Sequence, residues 1–332
     1  MLYVDDVGWV VAEENVLSVL TSILLIDEAL GLDISLNLGY QWDLDNLTVS
    51  LPDDKRAKLL LDLAQIIDNY PGNSITPSLL DKVTGRLTWA TQIAPLFSAE
   101  LSPFYGLQAI VRKLHLHKAK VGDSLVRSAK VFRALLQSST MASTTASQLL
   151  GWASSLDREA VVVADASLTG LGGVIFDTTS VAGADSRCSN LEWFTVDYAH
   201  NALLRTLIAT SGGLSSSDIG PLELVASVIG ILRALQRGAD TVTVLSDNVA
   251  TVACINRRRA KSPRMNEIML RLRQAWPSLG YCVLADHVRG EANGLADFLS
   301  RSSSVQRNQM MSGLGVEVNV APILQMLALS LL

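Results

Sequence analysis

The second half of the sequence restricts the fold most, because short apolar runs of strand length alternate there with segments of helical periodicity. Val161–Ala164, Gly170–Phe176 and Leu191–Val196 predict three consecutive strands. The alternation continues through further predicted segments: a helix at Pro221–Arg237, a strand at Val242–Leu245, helices at Asn248–Asn256 and Met265–Trp276, a strand at Tyr281–Ala285 and a helix at Leu295–Arg301. The order βββαβααβα predicts an α/β domain.

The hydropathy of the chain raises the question of membrane segments. The hydrophobic fraction is 49% over 332 residues, and the mean hydropathy is +0.30. The apolar runs Val16–Ile26 and Val320–Leu332 are both shorter than the roughly 20 residues that a spanning helix needs. The N-terminus has no basic region ahead of an apolar stretch, so we expect no signal peptide. These features predict an intracellular protein, in the cytoplasm or nucleus, that is not secreted and has no membrane partner.

Four regions of the sequence differ in character. Residues 1–52 begin with a strand-like piece and end in a predicted hairpin, and residues 53–157 show helical periodicity. Residues 158–301 carry the alternation of strands and helices, and residues 302–332 show no clear pattern. Within the second region, Thr76-Pro77 predicts a helix start. A stretch rich in Ser and Thr near residues 138–147 predicts a linker.

Carboxylates stand at the predicted ends of strands and helices in the third region. Asp165 and Asp247 each follow an apolar strand, Glu223 lies in the first turn of the long helix, and Asp297 opens the last helix. A carboxylate at the end of a buried strand is costly unless it is solvated, paired or bound to a metal. Hard divalent cations prefer oxygen ligands and would relieve the repulsion between converging carboxylates. Taken alone, Asp165 or Asp247 is also explained as a turn or capping residue, and Glu223 as a residue that complements the helix dipole.

The segment from about residue 159 to 301 resembles the ribonuclease H domain of retroelement polyproteins. The resemblance is carried by VVVADASLTGLGGVIF, IGPLELVASVIGILRAL, VTVLSDNVATVACIN and HVRGEANGLADFLSR. It implies a mixed sheet with flanking helices, and two Mg²⁺ or Mn²⁺ ions held by Asp165, Glu223, Asp247 and Asp297. It also implies that an activated water cleaves the RNA strand of an RNA–DNA hybrid. His287, ten residues before Asp297, is then expected to assist the water or product departure; the alternative is a loop histidine without a special role.

Two basic stretches stand out from a net charge of -5. One extends from Arg112 to Arg133, and the other comprises Arg257, Arg258, Arg259, Lys261 and Arg264. Either stretch alone is also explained as a solvated helix face. In relatives, the region of the second stretch forms a basic handle on the hybrid backbone. The resemblance therefore implies nucleic-acid binding by this second stretch, through phosphates and shape.

The N-terminal motif Tyr3-Val4-Asp5-Asp6 resembles the YxDD turn of reverse transcriptases. Leu38-Gly39-Tyr40 and the segment GRLTWA at 85–90 extend this resemblance to the primer grip, thumb and connection. The subtype it indicates is that of tyrosine-recombinase or gypsy-like elements. Because the segments expected before the motif are missing, we expect a helical palm, thumb and connection remnant without polymerase activity. The missing polymerase portion would then be a partner on another chain.

Two hypotheses follow for the function. The first is a metal-dependent endoribonuclease that hydrolyses the RNA strand of RNA–DNA hybrids. The second is a non-catalytic retroelement remnant that at most binds nucleic acid. Retention of Asp165, Glu223, Asp247 and Asp297 favours the first hypothesis, and the severed polymerase favours the second.

Overall fold

The computed structural model describes residues 40–43, 48–68, 74–138, 144–145, 158–177, 191–208, 214–276 and 283–329. Asp5 and Asp6 lie outside these residues, as does most of the predicted linker. Within the described residues the chain is an α/β protein with 11 α-helices and a mixed six-stranded sheet. The predicted α/β class is therefore confirmed. No helix within the described ranges combines the length and apolar character that crossing a membrane requires.

The N-terminal part of the described chain is mainly helical. Its elements, in chain order, are β1 (Gln41–Asp43), β2 (Thr48–Ser50), α1 (Asp53–Ile67), β3 (Ser74–Ile75), α2 (Pro77–Ala90), α3 (Ser102–Lys113), β4 (Ala119–Lys120), α4 (Asp123–Gln137) and β5 (Thr144–Thr145). Strand β2 pairs antiparallel with both β1 and β5. Strands β3 and β4 form a separate antiparallel pair. The predicted start of α2 is confirmed, because the Thr76 side chain accepts a hydrogen bond from the Leu79 N–H and Pro77 is the first helical residue. A core that includes Phe104 and Phe132 joins the four helices.

The C-terminal part is built around the six-stranded sheet. Its strands are β6 (Glu159–Ala166), β7 (Gly170–Asp177), β8 (Glu192–Asp197), β9 (Thr241–Ser246), β10 (Val283–His287) and β11 (Val316–Glu317). The order across the sheet is β10-β9-β6-β7-β8-β11. Strands β6, β7 and β8 are antiparallel neighbours, whereas β9 and β10 continue the sheet in parallel with β6. This mixed sheet is consistent with a ribonuclease-H-like fold.

Helices cover both faces of the sheet. They are α5 (Ala202–Ile208), α6 (Ile219–Gln236), α7 (Val249–Arg257), α8 (Pro263–Ala275), α9 (Gly294–Arg301), α10 (Ser304–Met311) and α11 (Ala321–Leu329). Alternate residues of a strand point to opposite faces. Val162 accordingly packs in the large core with α6, whereas Val163 packs beside Leu299 of α9. The sheet therefore separates α6 from α9.

Two glycines allow these helices to approach the sheet closely. A Cβ on Gly230 of α6 would collide with the Val162 side chain. A Cβ on Gly172 of β7 would lie 2.5 Å from the Ser300 backbone nitrogen. Close packing at Gly172 brings the C-terminal half of α9 directly onto β7 and the neighbouring β6, and β6 carries Asp165.

Helices and strands also occur where the sequence patterns were uninformative. Helix α5 lies between the predicted strand Leu191–Val196 and the predicted helix Pro221–Arg237, where no element was predicted, and α10, β11 and α11 lie in the unassigned residues 302–332. The run Val320–Leu332 contains a proline, but Pro322 is the second residue of α11, where its missing N–H costs nothing. Leu324 and Leu327 of this helix are buried in the large core. Tertiary packing thus stabilises a helix that is too short to form alone.

The two parts of the described chain are joined by polar contacts as well as apolar ones. Asn266 of α8 donates a hydrogen bond of 2.9 Å to the Ala99 carbonyl oxygen. Arg273 of α8 pairs with Glu100 at 2.6 Å, and the Ser128 hydroxyl also donates to Glu100, at 2.7 Å. Glu100 is 4% exposed, so the charge of this carboxylate is compensated inside the protein. The four predicted region boundaries remain predictions.

Candidate active site

The pairing of β6 with β9 brings two of the predicted acidic residues together. The strands run parallel, so their carboxyl ends lie at the same edge of the sheet. Val163 is the register partner of Leu245, and Asp165 and Asp247 each follow two residues later. The two aspartates therefore emerge side by side at this edge.

Helix α6 adds a third carboxylate to the pair. Glu223 lies near the amino end of α6, which packs across β6. Each of Asp165, Glu223 and Asp247 offers a carboxylate oxygen, and these three atoms all lie within 4.8 Å of one another. Asp165 is 5% exposed and Glu223 is 7% exposed. We call these three residues the acidic cluster.

The acidic cluster perturbs the protonation of its own members. The pKa of Glu223 is raised to about 7, mainly because the group is buried. A hydrogen bond from Asn248 lowers this pKa, and the charges of Asp165 and Asp247 raise it. Burial likewise raises the pKa of Asp165 to about 6, again with a contribution from the Asp247 charge. Without a compensating positive charge, two of the three carboxylates thus retain protons more strongly than usual.

Neighbouring polar side chains orient the acidic cluster. The Ser300 hydroxyl of α9 donates to Asp165 Oδ2 at 3.0 Å, and the Asn293 amide donates to Asp247 Oδ1 at 3.1 Å. Asn293 is 1% exposed. Asn248 caps α7 by accepting bonds from two backbone N–H groups and also contacts Glu223. No role was assigned from the sequence to Asn293, Ser300 or Asn248, although each of them flanks or lies near a predicted acidic residue.

Asp297 lies outside the acidic cluster. Its Oδ1 atom accepts a hydrogen bond of 2.5 Å from Nε of Arg301, one helical turn further along α9. Its negative charge still contributes to the raised pKa of Asp165. The structure therefore brings together three of the four predicted metal ligands and places the fourth nearby, in an ion pair. Its role as a metal ligand remains a prediction.

His287 borders the acidic cluster through the backbone of Asp247. It is the last residue of β10 rather than a loop residue, and its side chain is exposed. Ring nitrogen Nε2 lies 3.1 Å from the Asp247 carbonyl oxygen. A position at the rim of the site is compatible with the predicted role in water or product handling, which remains a prediction.

The predicted phosphate-binding residues have different environments. Arg257 and Lys261 are exposed, and the Arg259 guanidinium lies 4.9 Å from the centre of the Tyr105 ring. Arg264 is about half exposed and pairs with the buried carboxylate of Asp218. Arg258 is 5% exposed and bonds to the carbonyl oxygens of Ile255 and Val283, so the prediction that it contacts phosphate needs correction. Its left-handed backbone, with a φ of 54°, turns this residue inward at the end of α7.

The acidic cluster has the properties of a site for a divalent cation. Its three oxygens match the preference of hard cations for oxygen ligands. Glu223 Oε2 is buried and has no hydrogen-bond partner among the described residues, so an acceptor is available for a cation. Burial and, to a smaller extent, the neighbouring negative charges raise the pKa of Asp165 and of Glu223, and a bound cation would offset both effects. The residues present therefore fit a bound metal ion.

Comparisons with known proteins add little to this description. No protein-family model and no curated protein matches the sequence. Among solved structures, the chain is similar to a foamy viral protease-reverse transcriptase, "dRH", in complex with double-stranded DNA, with 12% sequence identity and a TM-score of 0.27. The similarity covers 76% of this chain and 37% of that one, so the chain spans little more than a third of that protein's length. A similarity this distant supports no argument about fold or function.

Proposed function

We propose that the chain is a metal-dependent nuclease that hydrolyses the RNA strand of RNA–DNA hybrids. The observation that carries this proposal is the acidic cluster, in which three carboxylate oxygens lie within 4.8 Å of one another at the edge of the sheet. The resemblance of the surrounding sequence to retroelement ribonuclease H domains supports the choice of substrate. Exposed Arg257 and Lys261 supply positive charge for a nucleic-acid backbone.

Each residue of the site has a distinct proposed role. Asp165, Glu223 and Asp247 would hold Mg²⁺ or Mn²⁺, and a pair of such ions would supply activation of a water molecule and stabilisation of the leaving oxygen of a phosphodiester. Ser300 and Asn293 hold the carboxylates of Asp165 and Asp247 in position through hydrogen bonds. Asp297 is proposed as a fourth ligand, and His287 as a group that handles protons at the rim.

Cleavage of a labelled RNA–DNA hybrid in Mg²⁺ or Mn²⁺ tests the proposal most directly. The variant Asp165→Asn keeps the size of the side chain and an oxygen acceptor for Ser300, but it removes one negative charge from the acidic cluster. We expect cleavage to fall by about 10²-fold or more, because metal affinity and ligand position are both lost. Thermal unfolding in chelator should show unchanged or slightly higher stability, because repulsion is relieved.

The matched control is Asp62→Asn, which also replaces a buried aspartate. Asp62 lies in α1, away from the sheet, and pairs with Lys82 and Arg86. Its replacement should lower the stability and leave cleavage unchanged. If Asp165→Asn cleaves as well as the parent, the site assignment is wrong. If the folded parent cleaves no hybrid with either metal, the alternative of a non-catalytic remnant is correct.

A further inference from the structure

A cavity of about 530 Å³ lies at the C-terminal end of α9. Its wall is formed by the turn between β6 and β7, the end of β8, and the chain from Ser300 to Arg307. Ser300 belongs to both places, since it lines the cavity and its hydroxyl donates to Asp165. The cavity and the acidic cluster are therefore linked through Ser300, and a strand bound at the cluster would have to extend past this residue to enter the cavity.

The lining of this cavity suits an anion with several oxygen atoms. Arg301 and Arg307 contribute two guanidinium groups, and Ser302 and Ser304 contribute hydroxyl-bearing side chains, whereas the Thr169 hydroxyl in the same lining already donates to the Ser300 carbonyl oxygen. Guanidinium and hydroxyl donors are the groups that proteins commonly direct to phosphate oxygens. Such a set of donors would bind a phosphodiester without reading the base attached to it.

The charges around the cavity favour Arg307 as its principal cation. Arg301 is engaged with Asp297 at 2.5 Å. Asp197, a carboxylate in the lining, accepts a hydrogen bond of 2.9 Å from the Ala199 N–H and lies 3.0 Å from Nδ1 of His200. The Arg307 guanidinium donates to the Leu299 carbonyl oxygen over 3.4 Å, which is a long and weak hydrogen bond. Arg307 therefore gives up little when it binds another acceptor.

We propose that this cavity binds a backbone phosphate of the nucleic-acid strand whose cleavage is assigned to the acidic cluster, with Arg307 as the main contact. This inference rests on the proposed function, because it needs a strand at the cluster. The bound phosphate would belong to the same strand as the scissile one. Its role is positioning, since Arg307 holds the strand and does not touch the reacting atoms.

Hybrid binding in chelator tests the proposal separately from cleavage. Fluorescence anisotropy would measure the dissociation constant of a labelled RNA–DNA hybrid over a series of salt concentrations. Arg307→Gln should weaken binding about 3- to 10-fold, and the logarithmic salt slope should fall by about 0.7–0.9. Arg307→Lys retains the charge and should restore most of the slope. The matched control is Arg158→Gln. Arg158 is exposed and lies just before the amino end of β6, whereas the cavity lies beyond the carboxyl end of that strand.

Hybrids that each carry one neutral methylphosphonate linkage, placed at a different position in each, provide a second measurement. If Arg307 had only a structural role, the effect of the neutral linkage on the dissociation constant would not depend on its position. At one linkage position, the neutral group should weaken binding to the parent but not to Arg307→Gln, since that variant has already lost the contact. Equal losses at every position for both proteins would overturn the proposal. So would an unchanged affinity and salt slope for Arg307→Gln, or equal losses for Arg307→Gln and Arg158→Gln.

Two further outcomes distinguish a bound strand from free phosphate, and the cavity from the acidic cluster. If inorganic phosphate raises the unfolding temperature of the parent but not of Arg307→Gln, while both bind hybrid equally, the cavity takes free phosphate and the assignment to a strand is wrong. If the parent cleaves hybrid and loses cleavage with Asp165→Asn, while Arg307→Gln binds normally, only the cavity assignment fails. A parent that binds no hybrid overturns the cavity assignment whatever the cleavage test shows.

Discussion

Replacing Glu223 by Gln should stabilise the metal-free protein, and the gain should grow as pH rises above the ordinary pKa of a glutamate. Glu223 is 7% exposed and contributes one of the three clustered carboxylates. Its Oε2 atom has no hydrogen-bond partner within the part of the chain that the structure describes. A glutamine keeps the shape and an acceptor for Asn248 but removes the charge that Asp165 and Asp247 repel.

The magnitude follows from the pKa of this group. Burial, together with the neighbouring charges, raises the pKa of Glu223 from 4.5 to about 7. A rise of roughly 2.5 units corresponds to about 3 kcal/mol of lost stability once the group is ionised in both states. Because an acid with a raised folded pKa retains its proton longer in the folded state, this loss develops as pH rises from about 4.5 to 7. Part of the cost is desolvation that the amide also pays, so we expect a gain of about 1–2 kcal/mol for Glu223→Gln near pH 8.

Denaturant unfolding in chelator at about pH 5 and about pH 8 measures this effect, with the m-value checked for constancy. The free energy of unfolding should differ between parent and variant by about 1–2 kcal/mol near pH 8 and by under about 0.5 kcal/mol near pH 5. Adding Mg²⁺ should then stabilise the parent more than the variant, because a metal bound only by the folded state adds to its stability. A variant that is less stable than the parent near pH 8, or a difference that is equal at both pH values, would refute the reasoning.

Two other predictions concern arginines. Arg258→Ala should cost about 2–4 kcal/mol in unfolding free energy because it removes a buried guanidinium bonded to two carbonyl oxygens. Arg257→Ala, at an exposed position, should leave the unfolding free energy within about 0.5 kcal/mol and reduce the salt slope of hybrid binding by about 0.7–0.9. A large loss of stability for Arg257→Ala and none for Arg258→Ala would contradict the structure. Arg273→Ala should lower the unfolding free energy by about 3–5 kcal/mol because it leaves the buried carboxylate of Glu100 without its cation. A decrease below about 1 kcal/mol in a denaturant titration would contradict the assignment of this pair as a desolvated contact between the two parts of the chain.

The strands and helices around the acidic cluster were predictable because each carries its own local signal. The apolar run Val161–Ala164 forms the middle of β6, and the predicted helix Pro221–Arg237 corresponds to α6 within two residues at each end. Their pairing was less accessible, because the register of β6 with β9 depends on contacts between residues far apart in sequence. The proximity of Asp165 to Asp247 is a consequence of that register.

Features that depend on tertiary packing or backbone conformation were not predictable. Helix α11 is too short to be stable alone and forms because Leu324 and Leu327 enter the core. The run Arg257-Arg258-Arg259 looks uniform as a sequence, yet Arg258 turns inward because it adopts the left-handed conformation that ends α7. No periodicity distinguishes the middle arginine from its neighbours. The hydroxyl of Ser300 was missed for a similar reason, since its contact with Asp165 joins residues 135 positions apart.

The position of Asp297 follows from the balance of charge at the site. Asp165, Glu223 and Asp247 already lie close enough for burial and mutual repulsion to raise the pKa of two of them. A fourth carboxylate about 4 Å from any of these charges would add a repulsion of roughly 4 kcal/mol at an effective dielectric constant of about 20. Arg301, four residues further along α9, instead neutralises Asp297 through an ion pair of 2.5 Å. In the metal-free protein, charge balance therefore favours three clustered carboxylates and one paired carboxylate over the fourfold cluster that the sequence indicates.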